Sequence, residues 1–259
     1  MRKPFIIANW KMNKNIHESV HFVEAIKNQL PDDIEVGIAP QALSLFDMKQ
    51  AAGDSKLQLI AQNASWHDDG PYTGEISLRS LVDAGATYVI FGHLERRRLF
   101  HESNLAIHQK VKAALKCGIT PIICTDEEMV QTEVNGGIHY VFQQLEGVLD
   151  GLSADQLSQI VISFEPSWAV GSKQNPSPEM AQAGCAKIRQ SLADTYGQEI
   201  ADRVRILYGG SVNPENITAI VDMPDIDGTL IGRASLDVNK FLAMIHCQSV
   251  AAIQEVKAI

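Results

Sequence analysis

The chain has 259 residues, 45% of them hydrophobic and 20% charged, which is enough for a large core in one barrel-sized domain or in two smaller ones. Its formal net charge of −9 argues against nucleic acid as the main partner, because phosphate backbones need a clustered positive surface; a local site for a small anion stays open. Cys117, Cys124, Cys185 and Cys247 show no CxxC spacing, which favours reduced thiols in a cytoplasmic protein over disulfides or a metal centre.

The first apolar run, Phe5 to Ala8, turns polar at Asn9, too soon for a secretory leader, and no later run approaches membrane-spanning length. Further short strands are predicted at Glu35 to Ala39, Leu57 to Ala61, Tyr88 to Phe91, Thr120 to Cys124, Gln159 to Ser163, Val204 to Leu207 and Gly228 to Ile231. Amphipathic helical stretches lie between them, among them Glu18 to Leu30, Asn104 to Cys117, Pro178 to Tyr196 and Asn239 to Cys247. Strands alternating with helices at roughly thirty residues per unit predict an α/β fold, a closed (β/α)8 barrel, over a single domain, residues 1–259. An open doubly wound sheet is the runner-up, weakened because no GxGxxG turn follows the first strand.

In a barrel, chemistry gathers at the carboxyl ends of the strands, and the unusual polar residues fall there. The first strand ends in Asn9-Trp10-Lys11-Met12-Asn13 and the fourth in Gly92-His93-Leu94-Glu95-Arg96-Arg97. The sixth delivers Glu165, with Pro166 expected to stop the strand and a Gly- and Pro-punctuated lid expected from Trp168 to Pro176. The seventh leads into Tyr208-Gly209-Gly210-Ser211-Val212 and the eighth into Gly232-Arg233. Taken singly, a lysine is usually a solvated cation, a histidine a structural one, and a Glu-Arg-Arg cluster an ion-pair network. Their coincidence on one rim points instead to a site.

The parts suit proton abstraction next to a carbonyl on a small phosphorylated sugar. Glu165 is the candidate base, while His93 and Lys11 polarise the carbonyl oxygen and stabilise an enediolate. Backbone N–H groups at Gly210-Ser211 and Gly232-Arg233 form a candidate phosphate cradle, and the chemistry needs no metal.

Over essentially its whole length the sequence resembles the triosephosphate isomerase family, on Asn9-Trp10-Lys11-Met12-Asn13, Ala61-Gln62-Asn63, Tyr72 to Ser77, Gly92-His93 with Glu95-Arg96-Arg97, Glu165-Pro166 with Trp168-Ala169, Tyr208 to Val212 and Asp227-Gly228. The resemblance implies that Asn9 and Lys11 bind substrate, His93 is the electrophile and Glu165 the base. It places Gly171, Ser211 and Gly232 on phosphate, with Glu95 supporting Lys11. It further implies a cytoplasmic homodimer of glycolysis that uses no cofactor, built through loop 63–77 inserted beside the partner's Asn9 and Lys11.

Four departures stand against the family pattern, one of them in the expected lid, which reads Pro166-Ser167-Trp168 where Pro-Val-Trp is common. Leu94 replaces a serine, removing a hydroxyl expected to hold the resting base. Arg233 replaces the second glycine of the phosphate turn, losing glycine's conformational range and adding a guanidinium to the substrate-binding set. Cys124-Thr125-Asp126-Glu127 stands where Cys-Ile-Gly-Glu is usual. Ile231-Gly232-Arg233 and the approach to Tyr72 through Trp66 are also similar to the tetrulose-phosphate isomerases of this family, which act on L-erythrulose 1-phosphate. That leaves a tetrulose-phosphate isomerase as the alternative, and a non-catalytic phosphate-binding homologue as a remote one.

Overall fold

The computed structural model describes residues 2–127, 136–166 and 177–247. In chain order these form β1 (Phe5–Asn9), α1 (Ile16–Ile26), β2 (Glu35–Ala39), α2 (Leu45–Ala52), β3 (Gln58–Ala61) and α3 (Leu78–Asp83). There follow β4 (Tyr88–Phe91), α4 (Leu94–Leu99), α5 (Asn104–Cys117), β5 (Thr120–Glu127), α6 (Gly136–Leu149) and α7 (Ala154–Leu157). The chain continues through β6 (Val161–Pro166), α8 (Pro178–Tyr196), α9 (Gln198–Arg203), β7 (Arg205–Tyr208), α10 (Ile217–Val221), β8 (Gly228–Ile231) and α11 (Val238–Ile245). Every strand pairs in parallel with its neighbours in sequence, and β8 closes back on β1, so the sheet is the predicted barrel.

Closure follows from the residue pattern. The strands are apolar on both faces, as parallel strands covered by helices must be. Phe5, Ile7, Ile60, Ile90, Ile122, Val161, Leu207 and Leu230 fill the barrel interior. The alternate residues Ile6, Ala8, Val89, Phe91, Ile162, Phe164 and Ile206 face the helices. Gly184 lets α8 settle onto β6, since a Cβ there would lie 2.1 Å from the ring of Phe164. Side chains of Asn15, Ser77, Ser103, Ser153, Ser177 and Asp237 cap helix N-termini and so fix where the loops end.

Polar first residues of the strands close the floor of the barrel. Arg205 donates to Glu35 and, at 3.0 Å, to the Tyr88 hydroxyl, which donates to Glu35 at 2.7 Å. The guanidinium also lies 4.8 Å from the Phe5 ring centroid.

One boundary differs in a way that matters. The sixth strand does not end at Ser163 as predicted: β6 runs on through Glu165 to Pro166, because β5 is also longer than predicted and pairs with it as Asp126↔Glu165 and Glu127↔Pro166. Glu165 is therefore held by a ladder. The proposed lid, Gly171 within it, and the tail beyond Cys247 lie outside the described residues. Among the described residues no helix is long and apolar enough to cross a membrane.

Candidate active site

A cleft of about 650 Å³ opens at the carboxyl ends of the strands, and Asn9, Lys11, His93, Glu165, Ser211 and Gly232 line it, with Arg233 at the same wall. Glu95 reaches it through Lys11: the ammonium donates to Glu95 Oε1 at 2.7 Å. Every candidate site residue within the described residues thus converges on one place.

Lys11 is presented by a backbone conformation that side chains avoid, φ +53°, which costs on the order of 1 kcal/mol or more and must be held by neighbours. Asn9 Oδ1 accepts from the Lys11 N–H at 3.2 Å. Gln62 Nε2 donates to the carbonyls of both Lys11 and Ala39 at 2.9 Å, tying the turn to the end of β2. Trp10, fully buried, donates its indole N–H to Ser235 O at 3.3 Å. Asn9 therefore both lines the cleft and braces the lysine.

His93 is the N-cap residue of α4. Its Nδ1 accepts the backbone N–H of Glu95 at 3.2 Å, so the proton of the neutral ring sits on Nε2, facing the cleft as a donor. Nε2 lies 3.5 Å from Glu165 Oε1. Glu165 is 1% exposed, and its Oε2 accepts the backbone N–H of Leu94 at 3.1 Å. The loss of a serine hydroxyl at position 94 therefore does not leave the carboxylate unheld, because the main chain supplies the donor. Behind it, the Cys124 thiol is pushed well above its usual range by burial, and further by the charge and hydrogen bond of Glu165. Gly209 makes room for the base: a Cβ there would lie 2.8 Å from Glu165 Cγ.

The opposite wall is built from the turns after β7 and β8. Gly209 donates to Phe164 O at 2.8 Å and Asn216 Nδ2 to Ser211 O at 3.0 Å, which fixes the Gly209–Ser211 turn. Gly232 begins a short 3-10 turn, Arg233–Leu236, beside the lysine; a Cβ on Gly232 would lie 3.9 Å from Lys11 Cε. The expected penalty for arginine at 233 does not arise, since its φ is not positive. Its exposed side chain has no ion-pair or hydrogen-bond partner among the described residues. With Lys240 also lining the cleft, Lys11, Arg233 and Lys240 outnumber Glu165 and the Glu95 carboxylate paired to Lys11, so the site is locally positive in an acidic protein.

Several contributors escape the sequence reading. Gln62 stands in a matched motif without a role, and only the bend at Lys11 reveals one. The Leu94 N–H and the Cys124 thiol have no side-chain signature of their function. Lys240 lies on a helix surface in sequence and meets the cleft only through the fold.

Comparison with known proteins agrees with this geometry. The family described as Triosephosphate isomerase matches residues 4–248. A triosephosphate isomerase of Streptococcus equi subsp. zooepidemicus is 45% identical over 246 residues, covering 94% of this chain and 98% of that protein. One of Lactiplantibacillus plantarum is 45% identical over 251 residues, covering 96% and 100%. One of Streptococcus agalactiae is 44% identical over 246 residues, covering 94% and 98%. With a closed parallel barrel, an ammonium, an imidazole and a carboxylate around one cleft, and matches of this extent, the chain belongs to the triosephosphate isomerase family.

Proposed function

We infer that the chain is a cofactor-independent isomerase that interconverts dihydroxyacetone phosphate and D-glyceraldehyde 3-phosphate in the cytoplasm. The observation that carries this reading is that Glu165 and His93 Nε2 face one cleft 3.5 Å apart, with Lys11 on the same wall. Glu165 removes a proton from the carbon next to the carbonyl. His93 Nε2–H and the Lys11 ammonium stabilise the oxygen as it gains charge. His93 gives its Nε2 proton to that oxygen and takes up the proton of the neighbouring hydroxyl, and the carboxylate returns its proton to the neighbouring carbon, which leaves the aldehyde. Ser211, Gly232 and Arg233 are the candidate phosphate contacts, and Gly171 is added to them by resemblance. The burial of Glu165 and its fixed neighbours keep it from being solvated as an ordinary surface carboxylate, which favours proton transfer.

A homodimer fits the same surface. The segments after β1, β2, β3 and β4 are neighbours on the barrel: their loops and turns expose Met12 (89%), Leu43 and Trp66, and the helices α2 and α4 expose Phe46 and Leu99. Apolar exposure on adjacent segments is the mark of an interface. Loop 63–77 is stiffened for insertion: His67 and Tyr72 stack at 3.9 Å and 9°, and Glu75 N donates to Tyr72 O at 3.0 Å.

Arg233, unpaired among the described residues at the cleft wall, favours one second reading, a tetrulose-phosphate isomerase. A coupled assay of purified protein on D-glyceraldehyde 3-phosphate and L-erythrulose 1-phosphate side by side tests both. A kcat/KM on the triose near roughly 10⁸ M⁻¹s⁻¹ supports the first reading. A poor triose with a good tetrulose reverses the order, and turnover of neither removes both.

A further inference from the structure

Resting on the isomerase reading above, we propose that the Arg98–Asp126 ion pair is a positioning device of the active site, holding α4 so that the Leu94 N–H and His93 Nε2 stay in reach of Glu165. Asp126 stands where the family pattern has glycine, so its carboxylate is an addition at the end of β5. It is 3% exposed, and burying a carboxylate is costly unless it is paired. Arg98 supplies the pairing, with Nε at 2.8 Å and Nη2 at 2.7 Å, both on Oδ2. Oδ1 is buried and has no hydrogen-bond partner among the described residues. A pair satisfied on one oxygen only is a poor device for stability, and its effect is better sought in geometry.

The geometry it fixes is specific. α4 has six residues and none of them is buried, so no apolar face anchors it to the barrel. Yet this helix begins with His93 as its cap, donates the Leu94 N–H to the base, and carries Glu95, the partner of Lys11. Its position must come from polar contacts. Arg97 supplies one set, donating to Gly92 O at 2.7 Å and Cys124 O at 3.2 Å. Arg96, 3.3 Å from Glu102, and Arg97, donating to Asn104 at 2.6 Å, tie the helix to the segment that follows it, whereas Arg98 ends on Asp126, the residue registered directly beside Glu165 in the β5–β6 ladder. Asp126 is itself immobilised: Gln144 on α6 donates to its carbonyl at 2.9 Å and accepts its N–H at 3.0 Å. The pair thus links the helix that presents the electrophile to the strand neighbour of the base. Neither residue touches the substrate cleft.

The experiment is a double-mutant cycle in steady-state kinetics on the full chain, with Arg98→Met, Asp126→Asn and the double variant, plus Arg98→Lys as the conservative replacement. Each single variant is expected to lower kcat about tenfold with KM within about twofold, because displacing the donors weakens the transition state more than the bound ground state. The double variant is expected to be no slower than the worse single one, and Arg98→Lys to recover most of the turnover. Thermal melts and sedimentation accompany every variant. Lowered melting temperature with intact kcat, additive losses in the double variant, or Arg98→Lys as slow as Arg98→Met would each overturn the proposal. Wild-type turnover tests the isomerase reading separately, so an inactive wild type and unaffected variants are distinct outcomes. A variant too unstable to purify leaves the Arg98→Lys result to decide.

Discussion

The backbone N–H of Leu94 donates to Glu165 Oε2 at 3.1 Å, and this bond joins the first residue of one helix to the candidate base on a strand two positions further round the barrel. Leu94 is the N1 residue of α4, where proline is tolerated, and His93 before it has ψ 141°, the extended backbone that a following proline requires. Leu94→Pro therefore deletes this donor without breaking the helix. The expected result is a fall in kcat of about tenfold to a hundredfold, the value of a hydrogen bond to a charged group, at nearly unchanged melting temperature. Full activity in the proline variant would show that the bond does not hold the base.

Shortening the base itself is a separate test. Glu165→Asp keeps the charge and retracts it by one methylene, and turnover is expected to fall on the order of a hundredfold. His93→Gln should lower kcat more than it raises KM, since its Nε2 donor is needed most when the oxygen carries charge. Equal effects on both constants would remove the electrophile assignment.

For Arg233, the expected outcome of Arg233→Gly is a rise in KM for the phosphorylated substrate of about tenfold, with kcat little changed. That is the size of one charge-assisted hydrogen bond. An unchanged KM on triose and tetrulose phosphates alike would place the guanidinium in solvent.

A charge placed on the exposed apolar surface should separate subunits. Phe46→Asp is expected to halve the sedimenting mass and to cost on the order of a hundredfold in kcat, through loosened Asn9 and Lys11 rather than through lost chemistry. A wild-type chain that sediments as a monomer would refute the dimer outright.

Stability should decline in alkali. Burial raises the thiol pKa of Cys124 and Cys185, and that of Cys247 is pushed up to about 11, again chiefly by burial. Above about pH 9 the unfolded chain loses these protons while the folded chain keeps them. The unfolded state then binds fewer protons, and stability falls as pH rises. Each of the two fully buried thiols contributes up to about 1.4 kcal/mol per pH unit. Urea midpoints at about pH 8 and about pH 10 should differ accordingly, and Cys185→Ala should flatten the slope. A slope that Cys185→Ala leaves unaltered would assign it elsewhere.

The barrel and the converging strand ends are legible in the sequence because apolar runs and isolated polar residues are local features of a chain. The extra length of β5 and β6 is not, since only the pairings Asp126↔Glu165 and Glu127↔Pro166 carry the ladder beyond the apolar run and up to the proline. The support of the base is hidden for a related reason: a sequence presents position 94 as a side chain, whereas the donor is a main-chain group that every residue except proline has. Asp126 is visible as a departure, but its partner Arg98 lies 28 positions away and meets it only in three dimensions.

The closed floor, where Arg205, Glu35 and Tyr88 bond across the bottom of the barrel, leaves Glu165 facing the cleft at the opposite end. In the role proposed for Glu165, a proton taken from the sugar onto that carboxylate meets water at the mouth of the cleft, beyond the sugar. The reaction is then expected to retain a memory of isotope: tritium or deuterium placed on the starting carbon should be carried in part to its neighbour, in a proportion set by the race between delivery to the second carbon and escape through the mouth of the cleft.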